Sequence, residues 1–268
     1  MNSARRCGNA HRFNGDSTRR YGSSHLSLPE LWKSPIQFFI WFFTYVIIAL
    51  ACVAMWVIAP AMSLIIFLII SVWHFGGDWS DSSTFARLSF GVWVLCLPAA
   101  ISPNEVMDIF GDLILQSLVA DNVVHLIIDV AEVLFLMSSL YLAVNITAHR
   151  KAPQFKQRII DITCLAAGAL LLPIMLYFVL YFCALHSPRH LLLSFKTVDS
   201  SKSSIIVIVL LTLLTLLLGT AAWSIISDYA SLATATLQVI FVGLFALTVP
   251  HMFIIHLFET HLTKREFD

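Results

Sequence analysis

Two histidines four residues apart are the clearest chemical signal in the chain. His186 and His190 stand in the segment ALHSPRH, at the end of an otherwise apolar run. Residues four apart share one face of an α-helix, so a single helix could offer both imidazoles to a metal ion. This spacing also occurs by chance, and a pair of histidines at a membrane interface is the alternative interpretation of the motif taken alone.

Two further histidines lie inside apolar segments: His74 in SVWHFGGDW and His251 in LTVPHM. Ionisable side chains within membrane spans are costly and usually face the bundle interior or a functional cavity. A set of imidazoles suits iron, copper, zinc or nickel. We therefore expect a metal site, and its apolar surroundings favour oxygen chemistry on a lipid-like substrate over hydrolysis.

An aspartate and an arginine accompany these histidines. Asp78 follows His74 by four residues, so its carboxylate could accept a hydrogen bond from the second ring nitrogen of His74 and fix the tautomer of that ring. A helix-capping or interfacial aspartate is the alternative. Arg189 is expected to anchor its helix end at the lipid headgroups.

Two phenylalanines precede the histidine pair at helical spacing. Phe178 and Phe182 share the predicted face of His186 and His190. They predict one wall of a tunnel for an elongated apolar substrate, and ordinary helix packing is the alternative interpretation.

The composition shows which kind of element must position these side chains. Of the 268 residues, 59% are hydrophobic and 12% are charged, with a net charge of zero, and the mean hydropathy is +0.85. Soluble domains have about 45–50% apolar and about 25% charged residues. The chain is therefore expected to be an integral membrane protein that contacts lipid and no nucleic acid.

The apolar segments predict an all-α fold, a polytopic transmembrane bundle of about eight spans. A span needs about 20 apolar residues, and the fifth of these segments is short enough to be tilted or half-inserted. Segment 103–121 is amphipathic and is expected along the membrane interface. The predicted spans are 36–59, 61–79, 86–102, 122–146, 158–172, 173–193, 204–226 and 232–258. We divide the chain into a basic N-terminal arm (1–35), the bundle with its metal site (36–260) and a tail (261–268).

The basic residues orient this bundle. With the N-terminus inside, all 16 lysines and arginines fall on one side of the membrane. The charged residues on the opposite side are all acidic. Basic loops face the cytoplasm, so we expect a protein of the cell (inner) membrane with both termini cytoplasmic. On this topology, His74, His186, His190 and His251 lie at similar depth in the inner half of the membrane.

Three segments together resemble a known family. IISVWHFGGDW, YFCALHSPRH and LQVIFVGLFALTVPHM, in this order, are similar to the Brp/Blh family of bacterial and archaeal membrane proteins, over roughly residues 36–260. These are β-carotene 15,15′-dioxygenases. The resemblance implies that dioxygen adds across the central double bond of β-carotene at a histidine-held Fe(II), and that the two retinal molecules formed usually serve a rhodopsin. By motif, His74, His186 and His190 correspond to iron ligands and therefore to catalytic residues.

The N-terminal segment departs from the family pattern. Family members open with an apolar helix that ends in a PHGxxD motif, whose histidine is the fourth iron ligand. Here the nearest match is AHRFNGD, with His11 and Asp16, and the residues before it are polar and basic. His11 is the predicted fourth ligand, and His251 is the predicted substitute ligand or partner of the ligands.

Two alternatives stay open. The chain could be an inactive or truncated family member, or a membrane protein that binds haem or quinone, with His74 and His186 as facing haem ligands. A retinal-binding rhodopsin is excluded, because no lysine lies within a predicted span to form a Schiff base.

Overall fold

The computed structural model describes residues 35–79, 83–114, 118–189 and 202–265, and these ranges consist of helices joined by short turns, without any strand. The prediction of an all-α fold is confirmed. The helices are α1 (Pro35–Ile58), α2 (Pro60–Gly76), α3 (Thr84–Ile101), α4 (Pro103–Leu113), α5 (Leu118–Ala148), α6 (Phe155–Leu171), α7 (Ile174–Leu180), α8 (Lys202–Ile226) and α9 (Leu232–Arg265). A π-helical segment, Tyr181–His186, continues α7.

Five of these helices are long and apolar enough to cross a membrane: α1, α3, α5, α8 and α9. Helix α2 and the segment Ile174–Arg189 are apolar but shorter. Helix α6, at the predicted fifth span, buries Arg158 and Asp161, which explains its weaker apolar character. Each predicted span overlaps a described helix, and residues 190–193 of the sixth span lie outside the described residues. The polytopic helical bundle is confirmed, with five helices rather than eight long and apolar enough to span a membrane within the described ranges.

Helix α4 is a short helix that packs against α3, α5 and α9. It buries Val106, Ile109 and Leu113 against the bundle, as its amphipathic pattern predicts, while Glu105, one turn before Ile109, is exposed. The carboxylate of Glu105 accepts a hydrogen bond from the backbone N–H of Ile174 at 3.1 Å. This contact satisfies a backbone donor at the beginning of α7, where no intrahelical partner exists.

Glycine allows α2 and α3 to pack with their backbones in close approach. A methyl group at Gly91 would collide with the carbonyl oxygen of Val72, and one at Gly76 would lie 2.7 Å from the carbonyl oxygen of Arg87. Both contacts lie within a few residues of His74. Gly76 and Gly91 therefore allow the close helix packing that positions His74, the first candidate ligand.

Candidate metal centre

His74 and His186 face each other across the junction of α2 and the π-helical segment. Their Nε2 atoms are 3.0 Å apart, and their ring centroids are 4.7 Å apart with an interplanar angle of 69°. The side chain of His186 is 4% exposed. The structure thus brings together two predicted ligands that are 112 positions apart in the sequence.

Asp78 determines the tautomer of His186. Its Oδ2 atom lies 2.9 Å from His186 Nδ1, and its side chain is 1% exposed. A carboxylate only accepts hydrogen bonds, so Nδ1 of His186 carries the hydrogen and Nε2 carries a lone pair. The residue spacing suggested His74 as the partner of Asp78, whereas the hydrogen bond in the structure is made with His186.

The π-helical segment explains why Asp78 reaches His186. Tyr181 also donates a hydrogen bond to Asp78 Oδ2, at 2.8 Å. Residues five apart would point about 140° away from each other on an α-helix, but a π-helix brings them onto one face. Pro188 lacks the N–H needed to continue regular α-helical bonding, and the N–H of Ser187 bonds to the carbonyl of Phe182, five residues back.

The second nitrogen of His74 faces a methionine. His74 Nδ1 lies 3.1 Å from the sulfur of Met252 on α9, and a thioether sulfur can accept a hydrogen bond but cannot donate one. The 3.0 Å contact between the two Nε2 atoms is a hydrogen bond when one of them carries a hydrogen. When both rings carry the hydrogen on Nδ1 instead, the two Nε2 lone pairs point toward each other, and a shared cation would stabilise that arrangement.

The donor set fits a metal ion. Two imidazole nitrogens that each lie about 2.1 Å from one ion can stand 3.0 Å apart as neighbouring ligands, as those of His74 and His186 do. A haem between them would place the nitrogens about 4 Å apart on opposite faces, at about 2 Å from the iron. The geometry therefore disfavours the haem alternative.

The other predicted ligands are placed differently. His11 and His190 lie outside the described residues. The ring of His251 lies 6.5 Å from that of His74, measured between centroids. Within the described ranges, no three His, Cys, Asp or Glu side chains form a group that could hold a metal ion, so the ligand set, including His74 and His186, stays a prediction.

An ion pair between Arg189 and Asp161 of α6 supports this site, and the sequence analysis did not predict it. Arg189 donates to Asp161 Oδ2 at 2.7 Å and to the backbone oxygen of Asp78 at 3.3 Å. Gln157 donates to the other oxygen of Asp161 at 2.8 Å. Arg189 therefore ties α6 to the histidine site, where we expected a headgroup anchor. The only sequence signal was an aspartate inside the apolar run of α6.

The predicted phenylalanines lead to the site. The rings of Phe178 and Phe182 are stacked, 6.1 Å apart, and the ring of Phe182 lies 5.3 Å from that of His186. Phe241 of α9, which the sequence analysis did not single out, stacks on Phe178 at 5.4 Å. A continuous row of aromatic rings therefore runs from the bundle interior to His186.

An apolar cavity of about 410 Å³ adjoins this row. It lies among α2, α3, α4, α5, α7 and α9, and Phe75, Phe178 and Tyr181 belong to its lining. The ring of Phe75 is 5.1 Å from that of His186. The cavity therefore ends beside the histidine pair, with a single layer of aromatic rings between them.

Comparisons with known proteins identify the family of the chain. The family model described as "Beta-carotene 15,15'-dioxygenase" matches residues 24–259, a range that includes His74 and His186 and begins after His11. A β-carotene 15,15′-dioxygenase from an uncultured marine bacterium (66A03) is 30% identical over 232 residues, which are 82% of this chain and 81% of that protein. No solved structure matches the chain. The chain belongs to the β-carotene 15,15′-dioxygenase family.

Proposed function

We propose that this chain cleaves the central double bond of β-carotene with dioxygen and forms two molecules of retinal. The observation that carries the proposal is the pair of Nε2 atoms, 3.0 Å apart, beside an apolar cavity. The reaction is balanced without a further reductant: one carbon–carbon double bond and the bond of dioxygen break, and two aldehyde carbonyls form.

The metal in this proposal is Fe(II), held by His74 and His186 together with His190, and with His11 or His251 as the fourth ligand. Imidazole ligands suit iron, and a bound ferrous ion supplies the electrons that activate dioxygen. The described geometry supports the first two ligands through their facing nitrogens. The role of the other three histidines rests on the sequence motifs.

The surrounding side chains have separate tasks. Asp78 holds the hydrogen of His186 on Nδ1, which keeps Nε2 available as a ligand and raises its basicity. Phe75, Phe182 and Tyr181 surround the ring of His186 and exclude water from it. The cavity next to them binds hydrocarbon by burying its apolar surface.

The orientation proposed from the basic residues has structural support. Arg158 lies over the ring of Trp79, 5.0 Å from its centroid, and Arg189 bonds to the backbone of Asp78. Two of the basic positions therefore gather at the end of the bundle where α2 ends. We propose that this end faces the cytoplasm of the cell (inner) membrane. A rhodopsin as the recipient of retinal rests on the family resemblance.

Expression in cells that accumulate β-carotene tests the proposal. We expect loss of the orange pigment and the appearance of retinal in extracts separated by chromatography. His186→Ala should abolish both effects. His149→Ala is the matched control, because His149 is exposed just after α5 and its Nδ1 atom lies 2.9 Å from the carbonyl oxygen of Asn145 in the neighbouring turn. Folded wild-type protein that leaves the pigment intact would contradict the proposal.

A further inference from the structure

The cavity beside the histidine pair is partly open to the outside of the bundle. Four large hydrophobic residues both line it and are exposed: Ile69 (65%), Leu126 (62%), Val130 (47%) and Leu134 (42%). Three of them, Leu126, Val130 and Leu134, follow one another at four-residue steps on α5 and form a row on one side of that helix. We call these three residues the α5 row.

The α5 row lies at the depth of the bilayer hydrocarbon. Residues 122–148 of α5 form a membrane span by length and composition, and the row occupies its first half. Side chains exposed at this depth face lipid tails and not water. An opening bordered by these residues therefore connects the cavity to the bilayer core.

The interior of the cavity suits a hydrocarbon. The hydroxyl of Tyr181 donates to Asp78 and that of Tyr177 donates to the carbonyl of Val94 at 3.4 Å, so both rings turn their apolar faces to the cavity. Ser71 on α2 supplies the remaining hydroxyl of the lining. A polar ligand would find few partners there, and leaving its polar groups unpaired would cost free energy.

We infer that a linear polyene enters this cavity sideways from the bilayer, past the α5 row, and that one end of it then occupies the cavity. The inference rests on the proposed function. At the inner end, Phe178 connects the cavity to the aromatic row that reaches His186. With its terminal ring in the cavity, a hydrocarbon chain that displaces this aromatic layer would bring its middle to the histidine pair.

A matched pair of tryptophan variants tests the entrance. Val130 and Val133 are both exposed valines on α5 (47% and 60%), but only Val130 lines the cavity. In membranes that contain β-carotene, we expect Val130→Trp to lower kcat/KM for retinal formation about tenfold by narrowing the opening. Val133→Trp should stay within about twofold of wild type, because its added ring projects into lipid. Equal rates for the two variants would overturn the inference.

Retention of pigment provides a second readout that does not need turnover. In the His186→Ala background, purified protein should retain bound β-carotene, which is measured by its absorbance, and adding Val130→Trp but not Val133→Trp should reduce the retained amount. If the purified His186→Ala protein contains bound membrane lipid and no bound β-carotene, the inference is contradicted. If wild type forms no retinal, the proposed function fails, while the retention experiment still tests the entrance separately.

Discussion

Two neighbouring regions of this bundle differ in how they satisfy their polar groups. In the histidine region, Asp78 Oδ2 receives hydrogen bonds from both Tyr181 and His186. In the cavity, the lining is almost wholly apolar, and the tyrosine hydroxyls at its wall bond elsewhere. Phe75 and Tyr181 belong to both regions, since they line the cavity and contact the ring of His186.

This difference separates chemistry from binding. Buried polar groups are stable only when they are hydrogen-bonded, so the histidine region needs a specific network and tolerates few substitutions. The cavity binds through apolar area and shape, so its residues are expected to influence substrate affinity more than the reaction itself. Substitutions in the two regions should therefore give distinguishable kinetic effects.

The largest expected effect comes from a substitution that disturbs both regions at once. Gly91→Ala places a methyl group against the carbonyl oxygen of Val72, a residue of the cavity lining that precedes His74 by two positions. We expect the helices to separate and the folded yield and thermal stability in detergent to fall. In Gly243→Ala on α9, the added methyl meets nothing within 4 Å, and the better helix propensity of alanine should leave stability equal or raised by up to about 1 kcal/mol. Equal thermal stability of both variants would contradict the close contact.

The next effect is confined to the histidine region. Asp78→Asn keeps the shape of the side chain but removes the charge that holds His186, so metal affinity and retinal formation should fall about 10- to 100-fold. Titration with Fe(II) under anaerobic conditions, followed by turnover, measures both quantities. Asp108→Asn, on the exposed face of α4, is the control. Unchanged iron affinity in Asp78→Asn would show that the carboxylate does not support the ligand.

The smallest effect is confined to the cavity. Ala131 lines it from α5, and Ala131→Phe should occupy part of its volume. We expect KM for β-carotene to rise about tenfold, which corresponds to about 1.4 kcal/mol, with kcat nearly unchanged. Ala143→Phe adds the same ring at an exposed position of the same helix that does not line the cavity. A fall in kcat with unchanged KM would argue against separate regions.

The helices could be predicted from the sequence because membrane spans require long apolar segments. The similar depth of His74 and His186, which their contact requires, also followed from the predicted topology. The contact between His74 and His186 could not be predicted, because hydropathy carries no information on which helices are neighbours. The close packing at Gly91, which brings α2 against α3, depends on a contact between distant positions.

The partner of Asp78 could not be predicted either. Reasoning from α-helical spacing assigned Asp78 to His74, four residues earlier, because that pairing needs no knowledge of tertiary structure. The π-helical segment changes which residues share a face and brings both Tyr181 and His186 to the carboxylate. The contact of Met252 with His74 joins α9 to α2 and leaves no local pattern in the sequence.

The most direct test of the account is the iron content of the purified protein after anaerobic loading with Fe(II). We predict stoichiometric iron in the wild type and in His149→Ala, and loss of bound iron in His74→Ala and His186→Ala, with all four proteins folded by circular dichroism. Full iron content in His186→Ala would contradict the assignment of the facing histidines as metal ligands.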